Sequence, residues 1–333
     1  VLLVSALLGY FVNYRQIVLT ADQKEYKITL NVQGFKVIKV LLQIAAIYYL
    51  SNGYVYWMIL ELLMAVTTAV ILDKLLKREY PWLKTIIMQG GTLRQKYPEI
   101  ISKTKQVFFH QIAAFVLFQT SPLIIYTYAS LTLVAVYGNY MLIITGVTLL
   151  MDALLRSINA GVGSLVAEGD KEQIKKVFWE LTSLRLWLAS VVCFGIYKLG
   201  HSFIILWVGN NFLLEQSAFI VLIAITFIGL SRTNDTFLAA YGLFQDVWAP
   251  VTEAVLNLGL SILLGYYYGL TGILSGVLIS LLVIVCIWKP LFLYKCGFKE
   301  NIGEYVVCHL KYLLLITISF VCISILSYFL YEV

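Results

Sequence analysis

Runs of about twenty consecutive apolar residues recur along this chain, and nothing constrains its fold more. At ~1.5 Å per residue, twenty residues of helix cross a hydrocarbon core of ~30 Å. Ten such runs can be drawn: 1–19, 35–51, 54–73, 107–129, 133–155, 178–199, 214–235, 248–268, 270–288 and 311–330. In lipid a backbone must satisfy its own polar groups, so a continuously apolar run predicts a helix. A β-barrel would show short alternating segments instead. Of the 333 residues, 61% are hydrophobic and 13% charged. A soluble domain has about a quarter of its residues charged, and a soluble chain this apolar would expose large sticky patches. The expected fold is an all-α polytopic membrane protein of about ten transmembrane helices.

The net charge of +6 does not point to nucleic acid, because the cations sit between the apolar runs. If the turn after the first run is cytoplasmic, that side receives 22 of the 24 Lys and Arg residues, from Arg15 to Lys311. Such sorting is the positive-inside pattern. Lys198 falls on the other side and Arg185 inside a run. Lys36 and Lys39 read as anchors at a span start. The opposite loops are short and neutral, except an aromatic segment from His201 to Glu215. Residues 74–106 carry eight cations with Pro81, Gly90-Gly91 and Pro98, and read as a cytoplasmic linker between two lobes. The predicted organisation is an N-terminal lobe over 1–73, the linker over 74–106, a six-helix lobe over 107–288, and a loop with one extra helix over 289–333. The chain begins at Val1 inside an apolar run and ends at Val333 just past another, so a longer parent protein is expected.

Catalytic signatures are missing from the sequence. There is no GxxxxGK[ST] phosphate loop, no HExxH, and no metal-ligand spacing among His110, His201 and His309. The five cysteines form no CxxC pair and read as small apolar residues. No cofactor and no metal is expected, and the chain does not read as an enzyme. Two rows of small or polar residues recur at four-residue spacing, Asn257/Ser261/Gly265 and Gly272/Gly276/Ser280, and predict close helix packing. Pro122 is expected to bend its span.

What remains is charge inside the membrane, which is costly and tends to face a cavity or a partner. Arg185 sits about 12 Å into its span. A guanidinium there can grip a phosphate diester or pyrophosphate with two prongs. It can equally pair with Glu61, Glu180 or Glu253. Glu61 and Glu253 are candidate carriers of a coupling proton, since burial raises a carboxyl pKa. Pairing with Arg185 or with Asn257 is their structural alternative. Asp152 and Arg156 are spaced for a helix-face pair, and Arg156 could also meet an anionic headgroup.

Three stretches resemble polysaccharide exporters of the multidrug/oligosaccharidyl-lipid/polysaccharide superfamily, the group that contains the O-antigen flippases. The first is Asn13-Tyr14-Arg15-Gln16 leading to Ala21-Asp22-Gln23-Lys24-Glu25-Tyr26. The second is Met151-Asp152-Ala153-Leu154-Leu155-Arg156-Ser157, followed by Gly161, Gly163 and Glu168-Gly169-Asp170-Lys171. The third is Trp207-Val208-Gly209-Asn210. The resemblance implies part of a fourteen-helix transporter of two six-helix lobes plus a pair, in which this chain's first span matches the fourth. It implies a bacterial inner-membrane protein that moves an undecaprenyl-diphosphate-linked oligosaccharide by alternating access. Arg185 and Arg156 would then meet the substrate, and Glu61 or Glu253 the coupling ion. Expected partners are that lipid-linked sugar, the bilayer and polysaccharide-assembly enzymes, with no nucleic acid. The alternatives are an ion-coupled multidrug exporter, a membrane enzyme of polysaccharide assembly, and a scaffold for such enzymes.

Overall fold

The structure, a computed structural model, describes residues 3–5, 7, 8, 16–22, 24–83, 90–128 and 130–331. Among them there are helices and no strands. Seven helical segments among the described residues are long and apolar enough to cross a membrane: 26–49, 53–79, 131–155, 171–207, 216–240, 248–298 and 303–325. The chain is therefore an all-α, multi-pass membrane protein. The span expected at 1–19 lies largely outside the described residues.

The contacts divide the chain into two compact units, Val1–Lys96 and Tyr97–Val333. The first holds α1 (Ile17–Ala21), α2 (Glu25–Tyr49), α3 (Gly53–Glu79) and α4 (Gly90–Lys96). The α2–α3 turn is tight, because a Cβ at Gly53 would lie 2.7 Å from the Ile47 backbone. At the other end of these helices Tyr80 donates to Asp22, and Lys24 and Lys27 pair with Asp22 and Glu79. Leu19, Leu72, Leu76 and Tyr80 close a small apolar core there.

The second unit holds α5 (Pro98–Gln119), α6 (Ser121–Tyr128), α7 (Leu131–Glu168), α8 (Lys171–Trp207), α9 (Gln216–Leu230), α10 (Thr233–Ala240), α11 (Trp248–Leu281), α12 (Lys289–Phe292) and α13 (Gly303–Tyr331). The span expected at 107–129 is two helices, because the chain breaks at Thr120. Pro122 does not bend a helix there. It occupies the first turn of α6, where its missing N–H costs nothing. Side-chain caps start α7 and α8: Ser130 accepts from the Leu133 amide, and Asp170 from the Gln173 amide.

The runs 248–268 and 270–288 are two arms that reverse at Gly269, whose φ of 57° suits glycine. The two rows of small residues face each other across this hairpin. A Cβ at Gly276 would lie 2.3 Å from the Ser261 amide nitrogen, and one at Gly272 2.0 Å from the Leu264 carbonyl oxygen. Ser261 Oγ donates to the Ile273 carbonyl at 2.9 Å. The second arm then widens into π-helical turns at Leu282–Trp288 and Leu293–Phe298, on either side of Pro290. Wider turns accommodate a proline that cannot donate in an α-helical ladder.

Among the described residues, the two largest apolar cores of this unit are distinct. One packs Ile125, Tyr140, Ile204, Phe219 and Ile273, and the other Phe178, Phe237, Leu293 and Tyr294. Outward positions such as Leu150, Leu154, Trp187, Leu206 and Leu315 are apolar and exposed. An exposed apolar surface of this extent is what a lipid-facing protein presents. Lys198, expected in a loop, lies within α8, with its Nζ over the Phe194 and Tyr197 rings at 5.8 and 5.9 Å.

Candidate functional site

The strongest polar constellation of the second unit begins with an interruption. The segment 216–240 is not one helix. After Leu230 the backbone leaves the helical region at Arg232, with φ −73° and ψ 56°. A break at membrane depth frees carbonyls that lipid cannot satisfy. Arg185, reaching across from α8, supplies the donor: its Nη1 donates to the Arg232 carbonyl at 3.3 Å and its Nη2 to Thr236 Oγ1 at 3.1 Å. Thr236 passes its own proton to Asn159 Oδ1 at 3.2 Å. Arg185 is only 9% exposed.

Glu61, Glu180 and Glu253 are the alternative ion-pair partners that the sequence offers Arg185, and among the described residues neither Glu180 nor Glu253 pairs with it. Glu253 instead faces Arg232, whose Nη2 stands 3.9 Å from Glu253 Oε1. Arg232 also lies 3.7 Å from Asp235, and Lys289 pairs with Asp235 at 2.8 Å. Arg185, Arg232 and Lys289 thus gather around Asp235 and Glu253, and Asp152 acts on Arg185 as a third carboxylate. Trp288, beside Lys289, donates to Asp246 at 3.2 Å. One turn beyond Glu253, Asn257 is fully buried, and neither of its amide atoms has a hydrogen-bond partner among the described residues. The Nε atoms of Arg185 and Arg232 are likewise buried without a partner there.

A second constellation lies in the first unit. Lys39 Nζ donates to Glu61 Oε1 at 2.8 Å. Gln43, one turn further along α2, donates to Glu61 Oε2 at 3.1 Å and to the Trp57 carbonyl at 3.2 Å. Gln43 is buried at 6% exposure. Lys39 is therefore not an anchor at a span start. It stands fourteen residues into α2, about 21 Å from that end, and its side chain turns inward to a carboxylate.

Of the predicted site residues, Arg185 and Glu253 share the first constellation through Arg232, and Glu61 belongs to the second. The side chain of Arg156 lies outside the described residues, and with it the proposed Asp152–Arg156 pair. Arg232, Asp235 and Lys289 stand at the ends of apolar runs, where the sequence alone does not set them apart from loop charges, and Lys39 reads as an anchor for the same reason. One signal was available: Lys39 and Gln43 are spaced i, i+4, which places two polar groups on one face of an otherwise apolar helix. No group of His, Cys, Asp and Glu among the described residues could hold a metal ion. No protein-family model, curated protein or solved structure matches the chain.

Proposed function

We propose that this chain is a transporter of the bacterial cytoplasmic membrane that flips a lipid-linked oligosaccharide carried on undecaprenyl diphosphate, and that it performs no bond-making chemistry. The observation that carries the reading is the cluster of Arg185, Arg232 and Lys289 within membrane-crossing helices, with guanidinium nitrogens left unpaired. Cationic groups at this depth are costly unless an anion compensates them. Asp152, Asp235 and Glu253 compensate these cations in the resting site, and a diphosphate that takes a carboxylate's place would meet a guanidinium through the two-pronged geometry it favours. A sugar headgroup cannot cross hydrocarbon unaided, whereas its prenyl tail never has to leave it. Alternating access of a fixed binding site provides that passage. Glu253, held against Arg232, is a candidate for coupling transport to an ion gradient. The motifs from Met151 to Lys171 and at Trp207–Asn210, with their likeness to O-antigen flippases, agree with this assignment.

The test is genetic. The full-length gene is expressed in a strain lacking its own flippase, and surface polysaccharide is scored. The parent is expected to restore it, Arg232→Ala to abolish it, and Arg185→Lys to fall between. Failure of the parent with several sugar repeats, or full restoration by Arg232→Ala, would overturn the assignment.

A further inference from the structure

The Lys39–Glu61 pair has a depth and a charge balance that the reading above leaves unused. Lys39 lies about 15 Å from the outer end of α2, and Glu61 about 12 Å from the facing end of α3, so the pair sits near the middle of the bilayer. An ammonium there is costly if alone, so it requires a permanent counter-charge. Glu61 supplies it at 2.8 Å. Among the described residues, Lys39 is the one charged group acting on the Glu61 carboxylate, and Gln43 is its other polar partner. Neither α2 nor α3 brings a second carboxylate to the site, and Lys36, one turn before Lys39, does not reach it.

We propose that Lys39 and Glu61 form an exchange site, in which protonation of Glu61 releases the Lys39 ammonium to a phosphate oxygen of a lipid-borne anion. In the resting site one positive and one negative charge cancel. When a proton bonds to Glu61 Oε1, the Nζ–H···Oε1 hydrogen bond breaks and the carboxyl becomes neutral. The same Nζ–H then donates to a phosphate oxygen, and the ammonium cancels one of the anion's negative charges in place of the carboxylate's. The anion enters with a proton and leaves as the proton leaves, so the Lys39 ammonium faces a negative oxygen throughout the exchange. Gln43 holds the neutral acid in place, because its Nε2 can keep donating to Oε2 while its other hydrogen remains on the Trp57 carbonyl. The prenyl-linked character of the anion rests on the transporter reading; the exchange itself does not.

The experiment uses the whole chain in nanodiscs of neutral phosphatidylcholine, with farnesyl diphosphate as the probe and Kd measured at pH 8 and pH 5.5. The parent is expected to bind at least about tenfold more tightly at the lower pH, a factor worth ~1.4 kcal/mol. Glu61→Gln should bind tightly at both pH values, because Lys39 is already released, and Lys39→Gln weakly at both. In the infrared, the parent should gain a protonated-acid carbonyl band on binding, which Glu61→Gln lacks. Inorganic pyrophosphate should bind far more weakly than the prenylated probe; equal binding would show that the anion comes from water and overturn the lipid-borne source. A Glu61→Gln variant that keeps the parental pH ratio, a Lys39→Gln variant that binds as the parent does, or a parent without the infrared band would each overturn the exchange. The infrared arm needs no variant, so misfolding of either variant leaves the question decidable. pH-linked binding in a chain that fails to restore polysaccharide would remove flipping and keep the exchange. Restoration of polysaccharide with pH-independent binding would do the reverse.

Discussion

Arg185 serves the fold before it serves any ligand. It closes the carbonyl freed where α9 gives way to α10, and an unpaired buried acceptor costs ~1–3 kcal/mol. Arg185→Ala is therefore expected to lower thermal stability in detergent, by about that amount. Arg185→Lys should recover only part of it, because one ammonium cannot span both the Arg232 carbonyl and Thr236 in the geometry of a planar fork. A melting temperature that Arg185→Ala leaves unchanged would show that water or another donor satisfies this carbonyl. The same residue was legible in the sequence as an anomaly, a guanidinium inside an apolar run. Its partner was not, because a backbone carbonyl exposed by a helix break leaves no trace in residue identity. Lys39 was misread for a related reason: distance along the chain from a span boundary does not say where a helix begins, and α2 begins at Glu25, ten residues before the apolar run.

At the scale of elements, the α11 hairpin is where sequence and structure agree most closely. Two rows of small residues at four-residue spacing announced a close approach, and the approach is one of backbone against backbone. The cost of filling it should depend on what stands opposite. At Gly276 an added methyl meets the Ser261 peptide at 2.3 Å, which cannot move without moving the helix. At Gly265 it meets Cγ1 of Ile273 at 2.6 Å, a side-chain atom that can rotate away. Gly276→Ala is therefore expected to destabilise by more than Gly265→Ala, toward the upper end of the ~1–3 kcal/mol typical of overpacking. Thermal unfolding of the two variants in one detergent decides the order. What patterning could not show is the irregularity: the break at Thr120, the kink at Arg232 and the π-helical turns around Pro290. The first two fall inside runs drawn as single spans, 107–129 and 214–235, and the third just past 270–288, so hydropathy averaged over a run passes over the polar residues that mark each departure.

For the whole molecule, the apolar runs and the sorting of cations identified the class, since both are properties of composition along the chain and need no tertiary contact. The sorting predicts sidedness, which single-cysteine labelling can measure in intact cells with a membrane-impermeant maleimide, on a background with the five native cysteines replaced. Cysteine at Lys96 or Lys171 should be protected until the membrane is opened, and cysteine at Tyr267, beside the Gly269 reversal, should react from outside. Labelling of Lys96 or Lys171 from outside would invert the topology, and with it the leaflet from which a headgroup enters.

The seam between the arms of α11 also limits how the second unit can move. With Gly276 seated on the peptide of Ser261, neither arm can slide along the other without lifting clear of it, so both crossings must travel together like one solid strut. Any tilt of that strut has to be absorbed outside it, where the ladder is already interrupted: at Arg232, and in the widened turns bracketing Pro290. The charges of Arg232 and Lys289 sit at those two joints.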